Sequence, residues 1–283
     1  MASEAKVWLI TGASRGLGRE LARAVLARGE VVVGTSRAGA PDPDLDGGSG
    51  RLRMLAFDAV VPEQAEAVVR EAHRLHGRID VLVNNAGSGL LGAVEESGAA
   101  EAAEVFEVNF FGPLRLVQAA LPLMRERRGG RIVNVSSIAG LAPMAGSALY
   151  AAAKFALVGM SESLAQEVAP LGIRVTVVEP GAFRTDFLSA KSIRMASGRI
   201  EDYDATSGEV VRRLGSISGR QLGDPRLGAL AMIEAVEAAE PPLHLLLGSD
   251  ALDRARARAA RLSGEFDRWE RLTLSTDHPE ADA

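Results

Sequence analysis

The amino terminus narrows the fold more than any other stretch. Lys6-Val7-Trp8-Leu9-Ile10-Thr11 is an apolar run of strand length. Gly12-Ala13-Ser14-Arg15-Gly16-Leu17-Gly18 follows, and an Ala/Leu/Arg stretch to Arg28 then carries apolar residues at helical spacing. Strand, glycine turn and helix together aim helix N–H groups and the positive dipole end at a pyrophosphate. Gly12 suits the tight turn, Gly16 a close backbone approach and Gly18 close helix packing. The spacing is G-x3-G-x-G rather than G-x-G-x-x-G. The same alternation continues: strand 30–35, strand 52–57, helix 62–77, strand 79–83, helix 100–127, strand 130–136, helix 147–169 and strand 172–178. Apolar strands alternating with helices predict an α/β fold, a doubly wound and mostly parallel sheet with helices on both faces.

The second strand, Val31-Val32-Val33-Gly34-Thr35, ends at Ser36-Arg37. A site selective for NAD carries Asp or Glu here, to bond the ribose 2′-hydroxyl. Ser36 leaves room for a 2′-phosphate, and Arg37 can clamp one bidentately. Arg15, inside the glycine turn, can reach the same phosphate. The residues favour NADP.

Tyr150 and Lys154 are one helical turn apart in a chain with only two tyrosines and three lysines. An ammonium beside a phenol stabilises the phenolate, and a cation within ~4–6 Å lowers such a pKa by roughly 1–3 units. The pair is expected to exchange protons near neutrality. Upstream, Ser137 ends the apolar run Arg131-Ile132-Val133-Asn134-Val135-Ser136, which reads as a buried strand. A hydroxyl at a strand's carboxyl end lies where open α/β sheets bind ligands.

These residues resemble the short-chain dehydrogenase/reductase family. The motifs Thr11-Gly12-Ala13-Ser14-Arg15-Gly16-Leu17-Gly18, Asn84-Asn85-Ala86-Gly87, Asn109, Ser137, Tyr150-x3-Lys154 and Pro180-Gly181 with Thr185 stand in the family's order, over about residues 5–190. The resemblance implies a single-domain Rossmann-like enzyme using NAD(P)(H). It implies Tyr150 as catalytic acid/base and Ser137 polarising the substrate carbonyl. Lys154 would bond the nicotinamide ribose and tune Tyr150, and Asn109 would hold a water in the proton relay. Asp58, followed by Ala59, would bond the adenine. Asn85, Ala86 and Gly87 would support the sheet and cofactor. Pro180, Gly181, Phe183 and Thr185 would contact the nicotinamide side or the diphosphate.

By the same resemblance, residues 5–183 are the cofactor-binding and catalytic core. Residues 184–222, polar and with little periodicity, are a substrate lid expected to be mobile without ligand. The extension 223–283 reads as helix 224–238, strand 243–247 and helix 251–270, with a frayed acidic tail from Thr276 and no role beyond covering the sheet edge. The Pro/Gly/Asp-rich segment 38–50 reads as a mobile surface loop. The outer faces of helices 100–127 and 147–169 are expected to pair subunits as a homodimer or homotetramer.

Composition excludes several classes. Hydrophobic content of 47% with 24% charge suits a globular protein, and a net charge of −5 argues against nucleic acid as the main partner. No cysteine is present, so disulfide and thiolate chemistry are absent. No cluster has metal-ligand spacing, and His73 and His76 read as a wet basic face. No apolar run approaches the ~18–20 residues of a membrane span. The first strand starts within a few residues of Met1, leaving no room for a signal peptide, so a cytoplasmic location is expected.

Ser88, Leu90, Leu91, Ala139, Leu141, Met144, Phe183 and Phe187 are expected beside the nicotinamide, with Leu188, Met195 and Tyr203 reaching in from the lid. They are mostly apolar, and Arg184 and Arg194 are the only candidate cations. The reading is an NADPH-dependent oxidoreductase interconverting an uncharged, apolar ketone or aldehyde with its alcohol. The alternatives are an NAD-linked alcohol dehydrogenase and, outside catalysis, an NADP(H)-binding sensor or scaffold.

Overall fold

The computed structural model describes residues 5–40, 43–190 and 192–278. Its strands are β1 (Val7–Ile10), β2 (Val31–Ser36), β3 (Leu52–Ala56), β4 (Val81–Asn84), β5 (Gly89–Leu91), β6 (Gly130–Val135), β7 (Ile173–Pro180), β8 (Ile193–Met195) and β9 (His244–Leu247). The helices are α1 (Gly16–Ala27), α2 (Pro43–Asp46), α3 (Pro62–His76), α4 (Ala99–Phe106), α5 (Gly112–Glu126), α6 (Ala148–Val168), α7 (Glu209–Ser216), α8 (Pro225–Glu237) and α9 (Ser249–Leu274).

Seven strands form one sheet in the order β3-β2-β1-β4-β6-β7-β9, every pairing parallel. The short strands β5 and β8 pair in parallel apart from it. Successive side chains on a strand face opposite ways, and β1 shows how this fills two layers. Val7 and Leu9 enter a core with residues of α3, α5 and α6. Trp8 and Ile10 enter the other core, with residues of α1 and α8. Burial on both faces explains why the strands read as continuous apolar runs.

Strand order reverses between β1 and β4, and the crevice at such a switch point is where an open α/β sheet binds ligands. The glycine turn leaves β1 there, Asn85 leaves β4, and Ser137 lies just beyond β6.

Three local features differ from the sequence reading. Helix 100–127 is a single helical run only with a widened π turn, Glu107–Phe111, between α4 and α5. Pro113 follows it and has no N–H to donate to a normal turn. Segment 184–222 is not irregular: it contains β8, α7, short 3₁₀ turns at Asp186–Leu188 and Glu201–Tyr203, and a π turn at Asp204–Gly208. Within segment 38–50, residues 43–46 form α2. Residues 41 and 42, Lys191 and the tail residues 279–283 lie outside the described residues.

No helix among the described residues is long and apolar enough to cross a membrane. No group of His, Cys, Asp or Glu among them could hold a metal ion.

Candidate active site

The floor of the crevice is built by hydrogen bonds between β1 and β4. Thr11 Oγ1 accepts from the backbone N–H groups of Asn85 and Ala86, both at 3.0 Å. Asn85 Nδ2 donates to the Thr11 carbonyl at 2.9 Å and to the Gly12 carbonyl at 3.3 Å. Thr11 belongs to the glycine motif, yet sequence reasoning assigned it no role; its position at the end of β1 was the available clue. Below, Asn84 donates to Asn134 at 2.8 Å and Asn134 to Ser161 at 2.8 Å, a fully buried polar ladder linking β4, β6 and α6.

Gly12 and Gly16 adopt φ of 67° and 57°, left-handed values that favour glycine. A side chain at Gly18 would collide with the Asn85 amide and the Gly12 carbonyl, so α1 can approach β4 only with glycine there. The Thr185 side chain lies about 3.5 Å from the Cβ position of Gly16, which brings the loop after β7 to the glycine turn. The amino end of α1 has no side-chain cap and no acidic residue in its first turn. It therefore offers backbone N–H groups and a positive dipole end to an anion.

Ser14 and Arg37 are exposed, and Arg15 and Leu17 are half-buried around this end. Ser36 closes β2, its hydroxyl accepting from Gly39 N–H at 3.0 Å. The Asp58 carboxylate accepts from Val60 N–H at 3.3 Å, and Gln64 accepts from Asp58 N–H at 2.7 Å, which fixes the turn after β3 above buried Ala59.

The catalytic candidates converge at the carboxyl end of β6. The Ser137 side chain stands beside the Tyr150 phenol, close enough to lower its pKa. The Ser137 hydroxyl accepts from Ala139 N–H at 3.1 Å, capping the turn Ile138–Gly140. Lys154 is buried one turn after Tyr150 on α6, with Nζ 5.9 Å from the Tyr150 ring centre and donating to the Val135 carbonyl at 2.9 Å. Asn109 sits in the π turn, and its Nδ2 donates at 2.8 Å to the carbonyls of both Val105 and Ser88. Its Oδ1 lies 3.0 Å, and Lys154 Nζ 3.6 Å, from where a Gly87 Cβ would be, so both groups crowd Gly87. Widened turns of this kind recur at functional sites.

Burial decides the titration of the pair. It pushes the Tyr150 phenol up to about 12, while the neighbouring Ser137 side chain pulls the other way. It pulls the Lys154 ammonium down to about 7. The expectation that Lys154 brings Tyr150 near neutrality does not hold in the protein alone. Desolvation disfavours the charged form of each group.

The substrate-side residues divide. Leu90, Val105, Ala139, Tyr150 and Ala151 form one cluster with Phe187 packed against it, and the Phe187 ring centre is 6.0 Å from that of Tyr150. Ser88 contributes backbone groups to Asn109. Phe183 turns instead toward Leu17, Gly223 and Gly228, beneath the glycine turn. Leu141 packs with Ile138, Ala142 and Ala251. Tyr203 donates to Glu95 at 2.7 Å, and Met195 is exposed. Both candidate arginines have partners, and Arg194 lines a cleft with Ser88, Leu90 and Val105. Arg184 donates to the Gln221 carbonyl, and Arg194 pairs with Glu104.

Residues 6–195 match the family model for short chain dehydrogenases. The chain belongs to the short-chain dehydrogenase/reductase family. Among curated members it is similar to oxidoreductase BOA17 of Botryotinia fuckeliana, 37% identical over 96% of this chain and 99% of the relative. It also resembles 3-ketodihydrosphingosine reductase of Bacteroides thetaiotaomicron, 36% identical over 86% of this chain and 88% of the relative. Among solved structures, a short-chain dehydrogenase of Streptomyces avermitilis superposes with a TM-score of 0.90 at 40% identity, covering 98% of this chain and 100% of the other. A short-chain dehydrogenase/reductase of Burkholderia phymatum in complex with NAD gives 0.82 at 26% identity, over 94% and 96% of the two chains. ElxO with NADP bound gives 0.73 at 27% identity, over 88% and 100%. Structural neighbours of this chain within the family thus include one with NAD and one with NADP bound.

Proposed function

We propose that the protein is an NADPH-dependent reductase interconverting an uncharged, apolar ketone or aldehyde with its alcohol. The observation that carries this reading is the convergence of Ser137, Tyr150 and Lys154 at the end of β6, with Ser137 beside the Tyr150 phenol and Lys154 buried one turn behind it. When bound, the nicotinamide supplies or accepts the hydride.

The residues present fit that cofactor. The uncapped amino end of α1 and the glycine cradle suit a diphosphate. Ser36, Arg37 and Arg15 would hold the 2′-phosphate, Asp58 and Ala59 the adenine, and Tyr150 with Lys154 the nicotinamide ribose. Ser137 Oγ donates to the carbonyl oxygen, and Tyr150 delivers its proton as alkoxide character develops. A phenol held near 12 is fully protonated at neutral pH, which suits a proton donor. An amine near 7 can take up or release a proton at neutral pH, which suits Lys154 to resupply Tyr150 with Asn109 alongside.

Support for an uncharged substrate comes from the apolar cluster at Tyr150 and from the partners of the two arginines, Arg184 on the Gln221 carbonyl and Arg194 neutralised by Glu104. The Bacteroides relative is named as a reductase of a keto compound. Pairing of subunits as a dimer or tetramer would cover Phe111 and Phe155, both partly exposed on the 100–127 and 147–169 helical runs.

The Burkholderia neighbour in complex with NAD supports a second reading, an NAD-linked alcohol dehydrogenase. Absorbance at 340 nm over a panel of ketones and aldehydes, with NADPH and NADH in parallel, tests both. Turnover of uncharged carbonyls with NADPH preferred is the expected result. A preference for NADH selects the second reading, and tight NADPH binding without turnover overturns the catalytic one.

A further inference from the structure

Helix α9 starts one residue after β9, and one side of its first two turns, with Asp250, Ala251 and Arg254, faces inward. Ala251 is fully buried and packs with Ile138 and Ala142, in the connection between Ser137 and α6. On one side of it, Asp250 Oδ2 accepts from Ala182 N–H at 2.8 Å. The other carboxylate oxygen, Oδ1, is buried without a hydrogen-bond partner among the described residues. It lies against Gly181 and Gly248, and a side chain at Gly181 would collide with the carboxylate. One helical turn on, Arg254 Nη2 donates to the Ala142 carbonyl. Burial weakens the hold of Arg254 on its proton, and the negative charge of Asp250 opposes that.

One short stretch of α9 thus grips two separate loops. The first, 180–185, follows β7 and ends on Thr185 beside the glycine turn. The second, 137–147, begins with Ser137 and leads into the helix that carries Tyr150. Covering a sheet edge would need only apolar contact of the kind Ala251 provides. It would not need a charge-assisted bond to one loop and an arginine bond to the other.

We infer that Asp250 and Arg254 are positioning residues of the reaction, Asp250 fixing the cofactor loop and Arg254 the serine loop. The C-terminal extension is then part of the catalytic frame. This rests on the function proposed above.

The test uses the full chain and its Asp250→Ala, Asp250→Asn and Arg254→Ala variants. Four quantities are read: the Kd of NADPH and NADH by nicotinamide fluorescence, kcat and KM, the thermal midpoint, and amide exchange at 181–186 and 137–147. Loss of a charge-assisted bond should raise the dinucleotide Kd of Asp250→Ala about tenfold or more and speed exchange at Ala182. Asp250→Asn keeps an acceptor oxygen and should recover most of that loss. Arg254→Ala should lower kcat about tenfold by loosening Ser137, with little change in Kd.

This split between Kd and kcat is what a purely structural role does not produce. The inference is overturned if Asp250→Ala keeps Kd and kcat within about twofold of wild type. It is also overturned if both alanine variants lose Kd and kcat together in proportion to their thermal midpoints. If Asp250→Ala does not fold, Arg254→Ala decides: kcat lost with Kd retained supports the inference, and any other pattern ends it. A wild-type chain that binds neither dinucleotide sinks the proposed function and this inference with it. A wild type that binds, beside an equally tight Asp250→Ala, sinks this inference alone.

Discussion

Lys154 should make the protein less stable while making it active, and Lys154→Met separates the two effects. Its side chain is 3% exposed, and burial draws its pKa from an ordinary 10.5 to about 7. That gap corresponds to about 5 kcal/mol of differential interaction between folded and unfolded chains. At pH 7 most of this cost is already incurred, because the unfolded chain keeps the proton and the folded chain has shed about half of it. Methionine removes the cost and keeps the stem. It also removes the Nζ hydrogen bond to the Val135 carbonyl, a loss of about 1–2 kcal/mol. Lys154→Met should therefore be more stable than wild type at pH 7 by about 2–4 kcal/mol, with turnover reduced by at least ~10².

Urea unfolding at fixed protein concentration without cofactor measures the stability term. The pH dependence gives an independent sign. Between pH 7 and 10.5 unfolding of the wild type takes up a proton at Lys154, so stability rises with pH across that window, and the methionine variant lacks this rise. Tyr150 acts in the opposite sense: its folded pKa is raised, so its contribution is intact below pH 10 and is lost as pH climbs toward about 12. A Lys154→Met protein less stable than wild type at pH 7, with an unchanged pH slope between 7 and 10, would falsify the argument from burial.

Tyr150→Phe removes one hydroxyl from the Ser137–Tyr150 pair and should lower kcat at least ~10²-fold with NADPH affinity little changed; near-wild-type turnover contradicts the mechanism. Ser36→Asp with Arg37→Ala should move kcat/KM from NADPH toward NADH by about one to two decades, and an unchanged preference means the end of β2 does not read the 2′-phosphate. Alcohol oxidation needs the Tyr150 phenolate, so its rate should climb by up to about tenfold per pH unit between pH 7 and 9.5, while carbonyl reduction should fall over the same range as Lys154 loses the proton that resupplies Tyr150. Phe187→Ala should change the ranking of ketones of different size by on the order of tenfold, because its ring packs on Tyr150, and equal losses for all ketones would assign Phe187 to the core instead.

The sheet was legible because each strand is an apolar run and each long helix an apolar period. The small features were not. Strands β5 and β8 are three residues each and exist through backbone pairing, Gly89↔Ile193 to Leu91↔Met195, so no side-chain period marks them. The π turn at Asn109 leaves the apolar pattern of 100–127 nearly intact, so only Pro113 hints at it. The spacing of Tyr150 and Lys154 correctly put them one turn apart. It says nothing about depth, and depth sets their protonation.

Locality separates what the chain shows from what it hides at the site. Ser137, Tyr150 and Lys154 come from one continuous stretch, carried on the end of β6 and the start of α6. Their spacing along the chain is nearly their spacing in space, so the motif survives in one dimension. The contacts that tie the surrounding loops together do not. Asn85 reaches Thr11 across 74 residues, Asp250 reaches Ala182 across 68, and Arg254 reaches Ala142 across 112. Each is a single polar residue whose meaning depends on which loop the fold delivers to it. A backbone N–H or carbonyl, present at nearly every position, leaves no mark in sequence when it becomes a partner. The candidate reacting groups are therefore readable from the residues of this chain, while the contacts proposed to frame them become visible only once β7, β9 and α9 meet behind the site.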